Sequence, residues 1–284
     1  MSRIVYVNGK YVDEENAMVS VFDRGFLFAD GVYEVTTVMQ GALIDNEGHL
    51  KRLRRSLNEL NMPSPASDEE IVAAQLELLE RNQLREGLVY LQVTRGPADR
   101  DFTFPANPKP GLVMFTQTKN LADPVQAKEG IKVISLPDIR WRRRDIKTVG
   151  LLAQVLAKQA AVDAGVDDAW MVEDGFVTEG SSNNAFIVDQ QGKLITRQLG
   201  SEILHGITRA SVLALVEKEN MVFEERAFTI EEAQGASEAF ITSATTFVWP
   251  VVQIDGVSVG GGKPGPVATE LREFYIKNSL ARIS

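Results

Sequence analysis

The chain has 284 residues, 44% hydrophobic and 24% charged, which is ordinary globular composition and enough length for two compact domains. A formal charge of −9 opposes a nucleic-acid backbone, zero cysteines exclude disulfides and thiolate chemistry, and two widely separated histidines, His49 and His205, argue against a transition-metal site. No apolar run approaches the ~20 residues of a membrane span and MSRIVYVNGK carries no hydrophobic signal segment, so the expectation is a soluble cytoplasmic protein with neither membrane nor nucleic-acid partner.

In chain order, IVYVNGKYV, VYEVTTVMQGALI with a turn at Gly41, VYLQVTRG and GLVMFTQT are rich in β-branched and aromatic residues and read as strands. Two helices lie among them. One, around residues 47 to 60, aligns Leu50, Leu53, Leu57 and Leu60; the other opens with Ser67 and Glu70 at capping-box spacing. Residues 1–118 therefore read as a small N-terminal α/β domain of α+β character, with polar KNLADPV, 119–125, as the linker. A larger domain over 126–284 follows, with the strand IKVISL, a helix from about Thr148 to Ala164 stopped by Gly165, and two short strands about the EDG turn at 173–175. A helix beginning near Thr208, the strand AFITS and a terminal helix PVATELREFYIKN complete it.

GGGKPG, 260–265, satisfies a dinucleotide-type glycine pattern, but too little chain follows for a βαβ unit, and Val257 and Pro264 stand where a phosphate loop needs glycine and a hydroxyl residue. It reads as a flexible turn. His49 and His205, lacking partners in sequence, read as structural.

The stretch RWRRRDIKTVGLL, 140–152, concentrates cations and then turns apolar. Lys147 sits at that junction. Like charge and desolvation both destabilise an ammonium, so a lysine so placed points to Schiff-base chemistry, against the alternative of a solvated basic loop. Further along, VTEGSSNNAF presents one carboxylate, Glu179, beside small hydroxyl and amide residues. HGITR puts Thr208 at a helix start suited to a phosphate, and TSATT, 242–246, is a small-residue loop after a strand. An amine, a carboxylate and N–H pockets are the parts needed by a phosphorylated cofactor with a ring nitrogen.

With DRGFLFADGVYEV (23–35), HLKRLRRS (49–56), YLQVTRG (90–96), DIRWRRRDIK (138–147), TEGSSNN (178–184), GITR (206–209) and FITSATT (240–246) in order, the chain resembles the fold-type IV pyridoxal-phosphate (PLP) transaminases along nearly its full length, and among them the bacterial D-amino acid transaminases. The resemblance implies two α/β domains with PLP in the cleft between them and a homodimer whose subunits complete each other's sites. It makes Lys147 the Schiff-base lysine, Glu179 the pyridinium partner and Arg52 the phosphate arginine, with Ile207, Thr208, Ala244 and Thr245 as the rest of the phosphate cup. Leu204 would pack on the ring face, with Ser182, Tyr33 and Arg140 near the cofactor. Ala244 stands where a hydroxyl is common, so Thr245 or backbone N–H groups must compensate.

On the substrate side, the resemblance places Tyr33 and Val35 on a strand and Arg100 in the loop RGPADRDFTFP, 95–105. Phe102 replaces a histidine expected beside that arginine, and Thr37 stands where a lysine is common, so the carboxylate trap is atypical. Asp99 and Asp101 flank Arg100 and compete for its guanidinium. The implied partners are an amino donor and a 2-oxo acid acceptor, the donor a D-amino acid. Branched-chain L-amino acid transaminases, aminodeoxychorismate lyases and (R)-selective amine transaminases share the cofactor residues, and a non-enzymatic PLP carrier or an arginine-rich binding module are the alternatives from another class.

Overall fold

Asn8 and Gly9, both in the left-handed region at φ 48° and 88°, close a two-residue turn between strands β1 (Ile4–Val7) and β2 (Lys10–Asp13). This hairpin opens a computed structural model that describes residues 2–282. Helix α1 (Arg24–Phe28), capped by Asp23, precedes β3 (Gly31–Met39) and β4 (Ala42–Ile44). Helices α2 (Asn46–Glu59) and α3 (Asp68–Arg81) follow, then β5 (Gly87–Thr94) and β6 (Gly111–Thr118). The predicted capping box at the start of α3 is formed in both directions, Ser67 with Glu70.

The six strands form one antiparallel sheet, ordered β2-β1-β6-β5-β3-β4. The leucines predicted on α2, with Ile71 and Leu78 of α3, pack with Val32, Leu91, Val93 and Met114 of the sheet, while Leu60 is only partly buried. The unit defined by this core takes in the chain up to Asn120 and also Ile146–Gly150.

The second unit comprises Leu121–Asp145 and the chain from Leu151. It contains α4 (Val125–Glu129), β7 (Ile131–Pro137), α5 (Leu152–Asp163), β8 (Asp168–Glu173), β9 (Phe176–Gly180), β10 (Asn184–Val188) and β11 (Leu194–Thr196). Then come α6 (Ile207–Lys218), β12 (Phe223–Glu225), α7 (Ile230–Gln234), β13 (Glu238–Ser243), β14 (Phe247–Ile254), β15 (Val257–Ser258) and α8 (Pro266–Ala281). The nine strands form a mixed sheet ordered β12-β11-β10-β13-β14-β7-β8-β9, with β15 beside β14. Alternate residues of β10 and β13 serve different clusters: Ala185, Ile187, Ala239 and Ile241 join Trp170 and Phe228, whereas Phe186, Val188 and Phe240 pack with Val212 and Leu271 of α6 and α8.

One expectation changes. The helix predicted from Thr148 begins at Leu152, because the preceding residues pair with β3 instead: Tyr33 N–H donates to Lys147 O at 2.9 Å, Val149 N–H to Gly31 O at 3.1 Å, and Thr148 bridges Val32. Strand β14 is not among the predicted elements, and it carries Pro250, which has no N–H to offer an interior ladder. The proline is accommodated because pairing to β7 starts only at Val251, with a register shift before Gln253. Leu121 and Ala122 are held firmly, Leu121 buried and both carbonyls accepting from Arg272. The glycine-rich segment predicted as a turn carries three left-handed glycines, Gly260, Gly261 and Gly262.

Candidate active site

In the first unit, alternation along β3 divides its side chains between two faces. Glu34 and Thr36 turn toward α2: Thr36 donates to Asn46, and Glu34 accepts from both Nε and Nη2 of Arg52, at 2.8 and 2.7 Å, with His49 Nδ1 2.8 Å away. Burial opposes charge on Glu34, but the Arg52 guanidinium and the His49 contact hold its carboxyl down to about 2. His49 is displaced downward by its own burial, against the pull of Glu34, which leaves the neutral ring favoured. His205, in the second unit, contacts the Gly200 carbonyl at 3.1 Å.

Tyr33 and Val35 occupy the alternate positions and are half-buried. The Tyr33 ring stacks on Tyr90, which stacks on Phe115, with centroid separations of 5.6 and 4.7 Å. Lys147 Nζ lies 4.1 Å from the Tyr33 ring centroid, a cation–π distance, and among the described residues the amine has no carboxylate partner. Its backbone is fixed on both sides, the N–H donating to Ser56 Oγ at 3.4 Å and the carbonyl accepting from Tyr33. Lys147 therefore combines a held backbone with an amine that has no carboxylate partner among the described residues.

The same unit carries the loop after β5. Arg100 is exposed, with its guanidinium carbon 5.3 and 5.4 Å from the rings of Phe28 and Phe102. Among the described residues it has no ion pair, and Asp101, expected to compete for it, instead accepts from the Thr103 N–H at 2.9 Å. Phe102 is 79% exposed. The loop is launched by Gly96, whose φ of +88° and close approach to the Lys109 carbonyl leave no space for a Cβ.

In the second unit, Glu179 is the penultimate residue of β9 and is almost fully buried. One carboxylate oxygen accepts from Arg140 Nη1, the other from Asn184 Nδ2 at 3.0 Å and the Leu204 N–H at 3.1 Å. Arg140 also makes a bidentate pair with Asp138, at 3.0 and 2.7 Å, and Thr178 donates to the same Asp138 at 2.6 Å. Burial pushes the Glu179 carboxyl up and Arg140 pulls it down; burial likewise opposes charge on Arg140, which Glu179 and Asp138 outweigh, holding the guanidinium protonated. These two tendencies conflict over the charge of Glu179. Donors occupy both of its oxygens, an arrangement that a protonated carboxyl would forfeit, so the geometry favours the carboxylate.

The loop from Gly180 to Asn184 is shaped by Asp168, which accepts from Ser181 Oγ and from Asn183 Nδ2 at 2.7 Å. Ser182 is left exposed between them, and Asn184 turns to Glu179. Ile207 and Thr208 are the first residues of α6, whose opening N–H groups have no helical carbonyl to reach. Ala244 and Thr245 lie in the three-residue turn from β13 to β14, where Ser243 Oγ accepts from the N–H groups of Thr245 and Thr246 at 3.3 and 3.2 Å.

Three of the four arginines in the stretch 140–147 are paired with acids. Arg140 is engaged as above, Arg143 pairs with Asp145 and Arg144 with Glu173. Two residues central to these clusters escape the sequence reading. Glu34 carried a usable signal, an acid inside an otherwise β-branched and aromatic run. Asn184 carried none, being one amide in a run of small polar residues.

A family model described as amino-transferase class IV matches residues 31–254. The chain is 38% identical to a D-alanine aminotransferase of Bacillus licheniformis, over 97% of this chain and 96% of that one, and 37% identical to a D-alanine aminotransferase of Staphylococcus aureus (strain MSSA476), over 96% of each. Among solved structures it is similar to a T.th. branched-chain amino acid aminotransferase with pyridoxamine 5'-phosphate, at TM-score 0.91 and 26% identity, covering 99% of this chain and 95% of that one.

Proposed function

The chain belongs to the aminotransferase class IV family and is a PLP-dependent aminotransferase, and we propose that it moves an amino group from a D-amino acid to a 2-oxo acid in two half-reactions. The observation that carries this reading is the amine of Lys147, half-buried against Tyr33 with no acidic partner among the described residues. PLP, when bound, supplies an aldehyde and an electron-accepting ring.

Lys147 would bind that aldehyde through its amine, and the same amine, when free, would move the proton at the substrate Cα. Glu179 keeps the ring nitrogen protonated, and its buried site suits that task because a pyridinium compensates a carboxylate that burial penalises. Arg140, Asn184 and the Leu204 N–H maintain its charge and direction. Arg52, the first N–H groups of α6 at Ile207 and Thr208, and the turn at Ala244 and Thr245 receive the phosphate. Leu204 would contact the ring of the bound cofactor, with Ser182 nearby.

Donor preference rests on the relatives: those 37–38% identical are D-alanine aminotransferases, whereas the solved branched-chain relative is 26% identical. Arg100, exposed and without an acid partner among the described residues, is the carboxylate ligand, with Tyr33, Val35 and Phe102 lining the substrate. A second copy of the chain completes the assembly. Exposed apolar groups at Met18, Val21, Phe22 and Phe26, and along α5 at Leu152, Val155 and Leu156, support this.

The test mixes the purified, PLP-loaded protein with D-alanine, D-glutamate, L-leucine or (R)-1-phenylethylamine and follows bleaching of the cofactor's visible absorbance. Fastest bleaching by a D-amino acid is expected. Preference for L-leucine would replace this reading with a branched-chain L-specific one, and no bleaching by any donor would leave a PLP carrier.

A further inference from the structure

Asn184 has its backbone set by strand pairing, opposite Thr242 of β13, and its side chain is buried at 5% exposure. An amide NH2 offers two hydrogens. Here both are spent within one small circuit: Nδ2 donates to Glu179 Oε2 and to Leu204 O, each at 3.0 Å, while the Leu204 N–H donates to the same Glu179 oxygen at 3.1 Å. Asn184 thus holds the carboxylate and the Leu204 carbonyl, and the carboxylate in turn holds the Leu204 N–H. Two residues further on, Gly206 opens α6 without any side-chain cap. A Cβ on Gly206 would lie 2.0 Å from Asn184 Oδ1, so the glycine is what allows the turn to close against this amide.

We infer that Asn184 is a positioning residue that locks the Glu179 carboxylate to the turn opening α6, so that the ring-nitrogen contact and the phosphate contact of the cofactor are set jointly by a single amide. This rests on the assignment of Glu179 to the ring nitrogen. An amide suits the role because it donates twice without adding charge beside Glu179. Aspartate, nearly the same shape, would remove both donors and place a second negative group against a buried carboxylate. Leu204 O would also be left without its partner, which loosens the segment leading to Ile207 and Thr208.

The experiment compares holoenzymes of the native chain, Asn184→Ala, Asn184→Asp, Gly206→Ala and Glu179→Gln. Two quantities are read: the pH midpoint of the bound cofactor's visible spectrum, and the rate at which cofactor leaves on dilution. Asn184→Ala should move the midpoint in the same direction as Glu179→Gln, Asn184→Asp should move it further than Asn184→Ala, and both should release cofactor at least tenfold faster. Gly206→Ala, which displaces the amide without altering its chemistry, should reproduce both effects. Should Asn184→Ala fail to fold, the isosteric Asn184→Asp and the Gly206→Ala proteins decide. If Glu179→Gln shifts the midpoint while the Asn184 and Gly206 variants change only thermal stability, the inference falls and the Glu179 assignment stands. If Glu179→Gln itself leaves the midpoint unchanged, both fall.

Discussion

Replacing Glu34 by glutamine should cost stability at neutral pH and lose most of that cost in acid. Glu34 is 2% exposed and receives two hydrogen bonds from Arg52, at 2.8 and 2.7 Å. Burial alone would raise its carboxyl, and Arg52 and His49 reverse this, bringing it from 4.5 to about 2. The difference is equivalent to about 3 kcal/mol in favour of the folded state, at roughly 1.4 kcal/mol per pH unit. Because the folded carboxyl is the stronger acid, the contribution is complete above about pH 4.5 and disappears as pH falls toward 2. By pH 3 about 2 kcal/mol of it is gone. Glu34→Gln also strands the buried Arg52 charge, a change that ordinarily costs about 3–5 kcal/mol. The assay is thermal or urea unfolding of native and Glu34→Gln holoenzymes at intervals from pH 7 to pH 3. The native protein should lead by about 3 kcal/mol at pH 7, and the gap should narrow steadily below pH 4.5. A gap that stays constant down to pH 3, or equal stability at pH 7, would refute the argument from the Glu34–Arg52 pair.

Lys147→Ala should abolish both the visible absorbance of covalently held PLP and nearly all turnover, read by spectrum and by half-reaction kinetics; substantial retained activity would move the reacting amine elsewhere. Arg100→Ala should raise KM for D-alanine at least tenfold, roughly 1.4 kcal/mol, while (R)-amine turnover stays comparatively intact, because only the former presents a carboxylate. Unchanged D-alanine kinetics would place the carboxylate ligand on another cation. Gly96→Ala should displace the loop bearing Arg100, since the new Cβ would meet the Lys109 carbonyl at 1.9 Å in a backbone already at φ +88°. Steady-state assays should show KM for D-alanine raised with cofactor content unaltered, and loss of cofactor would indicate wider disruption.

Local signals were enough for much of the architecture. The turn at Gly41, the Ser67–Glu70 capping box and the leucine stripe of α2 follow from neighbours a few residues apart, and Lys147 and Glu179 stood out as charged groups in telling settings. What depends on partners distant in the chain could not be read that way. Thr148 looks helical by its neighbours, yet it is taken by Val32, more than a hundred residues earlier, so the helix starts later. Strand β14 survives Pro250 only because β7 begins pairing one residue beyond it. Arg140 and Arg144 in RWRRRDIK resemble parts of a cationic patch until Asp138, Glu173 and Glu179 are brought against them. Glu34 and Asn184 owe their importance wholly to such meetings, with Arg52 and His49 in one case and with Glu179 and Leu204 in the other. Side-chain type and local periodicity determine which element a residue belongs to, whereas the charge a buried group keeps depends on what the tertiary fold sets within about 3 Å of it, because in a desolvated site those few contacts replace water.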